Sequence, residues 1–242
     1  VSTLVEAIRI HSTSPSAPCR QQRLRLTIKF AELNIMSWNA TGIMTGLPYL
    51  CNELVHSNIT ICGLAEHWLL SHNANILQNI NPNYSAHTVT CSNPSSFNGR
   101  LIGKGGVALL WHRSVNSYVD IVEVDSDRIA AIQLTFPCSK MLTVQVYLPC
   151  TNHSIDAFKH EIDILSDLCY TYSSYSSIVI MGDFNCQLTS NNHIINRRSR
   201  DTYASTLASS HNLKVVAPTS SGTVHTFYPY TGGDPTVIDH VL

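Results

Sequence analysis

Apolar residues gather in strand-length runs along most of this chain, and helical spacing occurs only a few times. Residues 141–148 alternate apolar and polar positions and stop at Pro149, and residues 132–136 alternate and stop at Pro137. Residues 105–111 and 59–64 are continuous apolar runs, and 33–38 form a further strand. Shorter strands are predicted at 84–90, 118–123, 213–216, 223–228 and 236–242. The run Ser177-Ile178-Val179-Ile180 is apolar enough to sit mid-sheet, and Met181-Gly182-Asp183-Phe184-Asn185 follows it directly. Residues at i and i+2 of an extended segment point the same way. Asp183 and Asn185 are therefore expected to converge on one ligand at the sheet edge, where ligands usually bind.

Helical periodicity marks three segments. Leu47, Leu50, Cys51, Leu54 and Val55 share one face, and Ile155, Phe158, Ile162, Leu165 and Cys169 share a longer one. A third helix is predicted over 202–210 with Asp201 as its cap. Many strands with a few interspersed helices, and no internal repeat, predict one α/β domain with two packed sheets rather than a plain βαβ array.

Composition narrows the class. With 242 residues, 44% apolar and 13% charged, the chain can bury a substantial core. No stretch approaches the ~20 apolar residues of a membrane span. The formal net charge of −1 gives no overall pull toward nucleic acid, but it is unevenly spread. Residues 1–30 carry Arg9, Arg20, Arg23, Arg25 and Lys29 against Glu6, a net +4, leaving −5 for the rest. With the linker-like 12–18, this predicts a basic, flexible N-terminal segment over 1–30 and a folded domain over 31–242. A secretory signal is not evident, and the eight cysteines include no Cys-x-x-Cys. They are expected to be reduced core thiols in a nuclear or cytoplasmic, non-secreted protein. The first residue, Val1, suggests a fragment.

The chemistry lies at strand ends. Trp38 leads into Asn39, Ala65 into Glu66, Val146 into Tyr147, Gly182 into Asp183 and Ile238 into Asp239. Carboxylates and amide oxygens are hard donors suited to Mg²⁺, which binds through one or two carboxylates plus a substrate phosphate. Such a cation offsets the repulsion between carboxylates and phosphate and polarises the phosphoryl oxygen. Singly, each residue has an ordinary structural explanation: Glu66 as a surface pair, Asn39 in a turn with Gly42, Tyr147 as a strand residue. Their recurrence behind successive strands favours a shared site.

Six segments in order carry a resemblance. They are Ser37-Trp38-Asn39; Leu64-Ala65-Glu66-His67-Trp68-Leu69; Gly103-Lys104-Gly105-Gly106-Val107-Ala108; Val146-Tyr147-Leu148-Pro149; Gly182-Asp183-Phe184-Asn185; and Thr226-Phe227 with Val237-Ile238-Asp239-His240-Val241-Leu242. Over residues 33–242 the chain resembles the endonuclease/exonuclease/phosphatase superfamily, and within it the endonuclease domain of LINE-type (non-LTR) retrotransposons. The resemblance implies a DNase I-like, four-layer α/β sandwich with two packed mixed sheets flanked by helices. It implies Mg²⁺-dependent phosphodiester hydrolysis, with Mn²⁺ as a substitute, acting on DNA beside a downstream reverse transcriptase.

Carried over residue by residue, Glu66 resembles the main metal ligand, helped by Asn39. Tyr147 resembles the phenol at the scissile phosphate, Asp183 the group that orients or deprotonates the attacking water, and Asn185 its neighbour. Asp239 resembles the carboxylate that orients the family's histidine, and Thr226 a hydroxyl lining the DNA-facing pocket. Lys104 in its glycine-rich turn, and Arg197, Arg198 and Arg200, are candidate phosphate contacts.

Two departures stand out. Thr41 replaces an aspartate that some relatives carry. Asp239-His240 follows Val237-Ile238, only 56 positions after Asp183, and so matches the family's Ile-Asp-His strand rather than its terminal Ser-Asp-His strand. His240 is therefore not expected to be the catalytic histidine. The terminal strand is expected beyond Leu242, and this fragment is expected to be nearly inactive. The alternatives are a phosphatase or phosphodiesterase on another substrate, and an inactive pseudo-nuclease.

Overall fold

The computed structural model describes residues 3–10, 33–92, 95–97, 100–174, 176–188, 198–216, 226 and 236–242. In chain order the elements are β1 (Thr3–Ile10), β2 (Leu33–Asn39), α1 (Leu47–His56), β3 (Ile61–Ala65), β4 (Tyr84–Val89), β5 (Ser95–Phe97), β6 (Arg100–Ile102) and β7 (Val107–His112). Then follow β8 (Val119–Val122), β9 (Ile129–Phe136), β10 (Ser139–Tyr147), α2 (Ile155–Tyr172), β11 (Ser177–Asp183), α3 (Ser199–Ser210) and β12 (Asp239–Val241). One sheet has the order β1-β2-β3-β7-β4 and the other β12-β11-β10-β9-β8, with β5-β6 a separate hairpin. Both large sheets are mixed. Each contains one parallel pair, β2–β3 and β10–β11, among antiparallel neighbours.

Period-2 alternation explains the layers. In β10, Met141 packs between the sheets while Leu142, Val144 and Val146 pack outward beneath α2 and α3. In β3, Ile61 faces inward while Cys62 and Leu64 face α1. Three apolar clusters result: one between the sheets, and one on the outer face of each sheet beneath its helices. This is the four-layer α/β sandwich. Cys62, Cys169 and Cys186 are buried free thiols.

Between the sheets the buried Ser37 hydroxyl donates to Gln145 Oε1 at 3.2 Å, fixing one sheet against the other. Gly63 makes room for that carboxamide: a Cβ there would lie 1.8 Å from Gln145 Oε1.

Several elements differ from the sequence pattern. Thr3–Ile10, within the segment whose composition predicts a flexible lead-in, pairs antiparallel with β2. Residues 213–216 form no strand and contribute a single strand-like bond, Val216 N to Val241 O at 2.8 Å. The strand predicted at 223–228 lies outside the described residues apart from Thr226. Asp201 does not cap α3 from outside. It stands in the first turn, 4% exposed, and its carboxylate accepts from Arg198 N at 3.1 Å and Gln187 N at 2.8 Å. Asp201→Ala strands two amide donors that the carboxylate serves. It is expected to cost about 3 kcal/mol, from charge-assisted bonds worth about 1.5–3 kcal/mol. Urea unfolding measures this, and a change within error would show that solvent replaces the carboxylate.

Candidate active site

The two parallel pairs end side by side. Asn39 closes β2 opposite Ala65 of β3, and Glu66 follows. Tyr147 closes β10 opposite Asp183 of β11, and Asp183 stands opposite Asp239 of β12. On β10–β12 the inward apolar positions are Met141, Val179, Met181 and Val241. By strand alternation Tyr147, Asp183 and Asp239 continue that same face. The candidate residues therefore lie at one end of the layer between the sheets.

Asn39 joins the sheets. Its Nδ2 donates to Glu66 Oε1 at 3.0 Å and to Asp183 Oδ2 at 2.9 Å, while its Oδ1 accepts from Thr41 N at 3.1 Å. Asp183 also accepts from Asn185 N, at Oδ1 and 2.9 Å. Burial raises the pKa of Asp183 well above the carboxylate range. The charges of Asp239 and Glu66 add to the rise, and the bonds from Asn185 and Asn39 oppose it. Burial also raises Asp239, with Glu66 adding and a bond from Thr226 opposing. The Tyr147 phenol is pushed up by burial and then by Glu66 and Asp183, so it stays protonated.

The geometry corrects one sequence expectation. Asp183 and Asn185 are not i and i+2 of one strand, because β11 ends at Asp183 and Asn185 turns into the left-handed region at φ 48°. Asn185 Nδ2 instead donates to Leu148 O at 2.8 Å, tying the exits of β10 and β11 together.

The loop after β3 is held by contacts that local sequence does not announce. His67 is fully buried; its Nδ1 accepts from Leu69 N at 2.9 Å, so its Nε2 donates to Val89 O at 3.1 Å. Gly106, at φ 80°, lies against that ring, and a Cβ there would sit 2.5 Å from Cε1. Gly105 lies against the Tyr147 ring, which brings the exposed Lys104 to the rim of the site.

A second cation, Arg128, was not singled out by sequence. Its guanidinium stacks over the Tyr147 ring at 5.4 Å and donates to Tyr147 O at 3.4 Å. It immediately precedes β9, next to β10, and its carbonyl accepts from Tyr147 N at 2.9 Å, so the sheet edge reads Asp239, Asp183, Tyr147, Arg128.

The remaining candidates separate. Thr226 Oγ1 accepts from Ile238 N at 2.9 Å and Asp239 N at 3.1 Å, and its side chain also bonds the Asp239 carboxylate. Arg197 lies outside the described residues. Arg198 is exposed at the start of α3. Arg200 is spent on structure, donating to Cys150 O at 3.0 Å and His153 O at 2.8 Å and stacking on Phe158. His240 alternates to the face opposite Asp239, packs edge-on to Phe184 and lies within 3.0 Å of Cys186 O. Burial pushes its pKa down to about 4, so it is a neutral core residue.

The donor set fits a divalent cation. Asp183 and Asp239 are 3% and 6% exposed with Glu66 alongside, and among the described residues no lysine or arginine pairs with any of the three. No three such groups among the described residues close into a ready-made cage. A hard cation that keeps several waters and takes one or two carboxylates does not require one.

The fold and this strand-end constellation define a phosphoesterase-type α/β sandwich. The chain belongs to the Endonuclease/Exonuclease/phosphatase family, whose model matches residues 36–242. Solved structures agree in fold. A 3′ phosphatase, NExo, from Neisseria bound to a product DNA hairpin is 18% identical, covering 86% of this chain and 84% of that one, with TM-score 0.59. The endonuclease domain of TRAS1, a telomere-specific non-LTR retrotransposon, is 12% identical over 86% and 82%, with TM-score 0.58. An AP endonuclease from Archaeoglobus fulgidus is 15% identical over 86% and 85%, with TM-score 0.56. No curated protein sequence matches significantly. No helix among the described residues is long and apolar enough to cross a membrane.

Proposed function

We propose that this chain is a Mg²⁺-dependent DNA phosphodiesterase, the target-nicking endonuclease domain of a non-LTR retrotransposon, with Mn²⁺ able to substitute. The observation that carries the chemistry is the Asn39 amide joining Glu66 to Asp183 where both parallel pairs end. Glu66 and Asp183 would hold the cation, which supplies charge neutralisation at the phosphoryl oxygens. Asn39, expected from the sequence to help as a ligand, would instead orient both carboxylates through its Nδ2. Asp183 is held by two N–H donors and orients a water for in-line attack, accepting its proton. Tyr147 keeps its proton and donates to a phosphoryl oxygen as charge builds there. Asp239 stands opposite Asp183 on the neighbouring strand, and Thr226 holds the Asp239 backbone amide in place.

DNA is the substrate favoured by the cations beside Tyr147. Arg128, stacked on the Tyr147 ring, and the exposed Lys104 would contact the phosphates that flank the scissile one, contacts that position a strand without reading its sequence. Arg128→Ala is expected to weaken DNA binding uniformly across sequences and to lower the slope of log affinity against log salt by roughly 1. Filter binding across a salt series measures it, and an unchanged slope removes Arg128 from the interface.

The retrotransposon reading rests on Thr226 followed by Ile238-Asp239-His240, and on the likeness to the TRAS1 domain. Nicking of supercoiled plasmid in Mg²⁺ is the expected result, in place of the near-inactivity expected from the sequence, because Glu66, Asn39, Asp183 and Tyr147 converge at one end of the two sheets. Polymerase motifs in the same reading frame would support the retrotransposon part. Hydrolysis of phosphomonoesters with no plasmid nicking would replace this reading with a phosphatase. No hydrolysis of either substrate would leave a pseudo-nuclease.

A further inference from the structure

Both oxygens of the Glu66 carboxylate carry a neutral N–H donor. Asn39 Nδ2 donates to Oε1 at 3.0 Å, and the Trp68 indole Nε1 donates to Oε2 at 3.2 Å. The indole is held from several sides. Trp68 N donates to Gly105 O at 3.0 Å, and Gly42 N donates to Glu66 O at 2.8 Å. Gly42, at φ 91°, lies under the ring, where a Cβ would sit 2.9 Å from Cε3. Gly103 presses on the Trp68 carbonyl, where a Cβ would sit 2.6 Å from its oxygen. Glu66 and Trp68 both adopt left-handed backbone, φ 53° and 57°. Non-glycine residues keep that conformation only where their surroundings over-determine it, and such residues cluster at functional sites.

We infer that Trp68 is a positioning residue that presets the Glu66 carboxylate for a divalent cation; this rests on the metal-dependent reading above. The choice of side chain follows from charge. A lysine or arginine would neutralise Glu66 and compete with the cation. An indole N–H is donor-only and uncharged, so it fixes the carboxylate's orientation and leaves its full charge to the metal. Hydrogen-bond partners of metal-binding carboxylates commonly change metal affinity by 10–100-fold when removed.

The test uses the whole chain and Mn²⁺ alone, with free Mn²⁺ counted by electron paramagnetic resonance. Trp68→Phe keeps a ring and loses the N–H. It is expected to weaken Mn²⁺ binding by about 10-fold or more, with an unchanged melting temperature in chelator. In a Glu66→Gln background the same change is expected to have no further effect, because Trp68 acts through that carboxylate. Mn²⁺ is also expected to quench a tryptophan fluorescence component that Trp68→Phe lacks. Gly42→Ala crowds the ring without removing it and gives a second route to the same loss should Trp68→Phe fold poorly. Wild-type Mn²⁺ affinity in Trp68→Phe, or an equal loss with Glu66→Gln already present, overturns the inference. Absence of Mn²⁺ binding by the unaltered chain overturns the metal-dependent reading along with it.

Discussion

Asp183→Asn is expected to cut Mg²⁺-dependent DNA cleavage by about a thousandfold or more, several kcal/mol of transition-state stabilisation. The substitution keeps shape and volume but removes the charge and half of the acceptor capacity. In the native chain one carboxylate oxygen faces Asn39 Nδ2 and the other faces Asn185 N. A carboxamide can satisfy one of these donors and presents a donor to the other. It also cannot take a proton from water, and without the negative charge its oxygen would hold a cation more weakly. Melting in chelator should move little, since losing one hydrogen bond is offset by no longer burying a group pressed by Asp239 and Glu66. Initial rates of plasmid nicking at saturating Mg²⁺ measure the loss. A variant that nicks within tenfold of the unaltered chain would rule out Asp183 as the water-orienting group.

Much of this site is legible in the sequence, because its residues follow strands whose apolar patterns are strong. The run before Gly182 marks a mid-sheet strand. The alternation of residues 141–147 makes Tyr147 an inward position, and the Glu66, Asn39 and Asp239 exits read the same way. What could not be read depends on pairing order. Asn39 reaches Asp183 across 144 positions, and no local pattern encodes that bond. Arg128 gains its place only because β9 lies next to β10 in the sheet. Local backbone misled in one place: Asn185 looks like a continuing strand residue, but its amide bonds to the preceding carboxylate and turns the chain. Arg200 shows the opposite error. A cation in a basic run looks like a DNA contact, yet its guanidinium is taken up by the carbonyls of the loop before α2.

Gly182 carries the largest expected effect on stability. It stands in β11 opposite Val146 of β10 with φ 129°, a conformation open to glycine and strained for any L side chain. A Cβ there would lie 2.2 Å from Val146 O, 2.6 Å from Gln145 Nε2 and 3.0 Å from Val146 N. Two of those atoms are backbone within a paired strand and cannot step aside. The third belongs to the carboxamide that Ser37 engages from the facing sheet. Gly182→Ala therefore combines backbone strain with overpacking, each about 1–3 kcal/mol, and is expected to cost about 3 kcal/mol or more. For a domain of this length that lowers the melting temperature by about 6–12 °C. Urea unfolding should show a lower midpoint with an unchanged slope, meaning the native fold is weakened rather than replaced. Activity should fall as well, because relief of the clash shifts β11 against β10 and moves Asp183 relative to Tyr147 and Asn39. A melting temperature within about 2 °C of the unaltered chain would mean that the strand pair yields at Gly182. The glycine of Gly-Asp-Phe-Asn would then not be needed to seat the carboxylate that follows it.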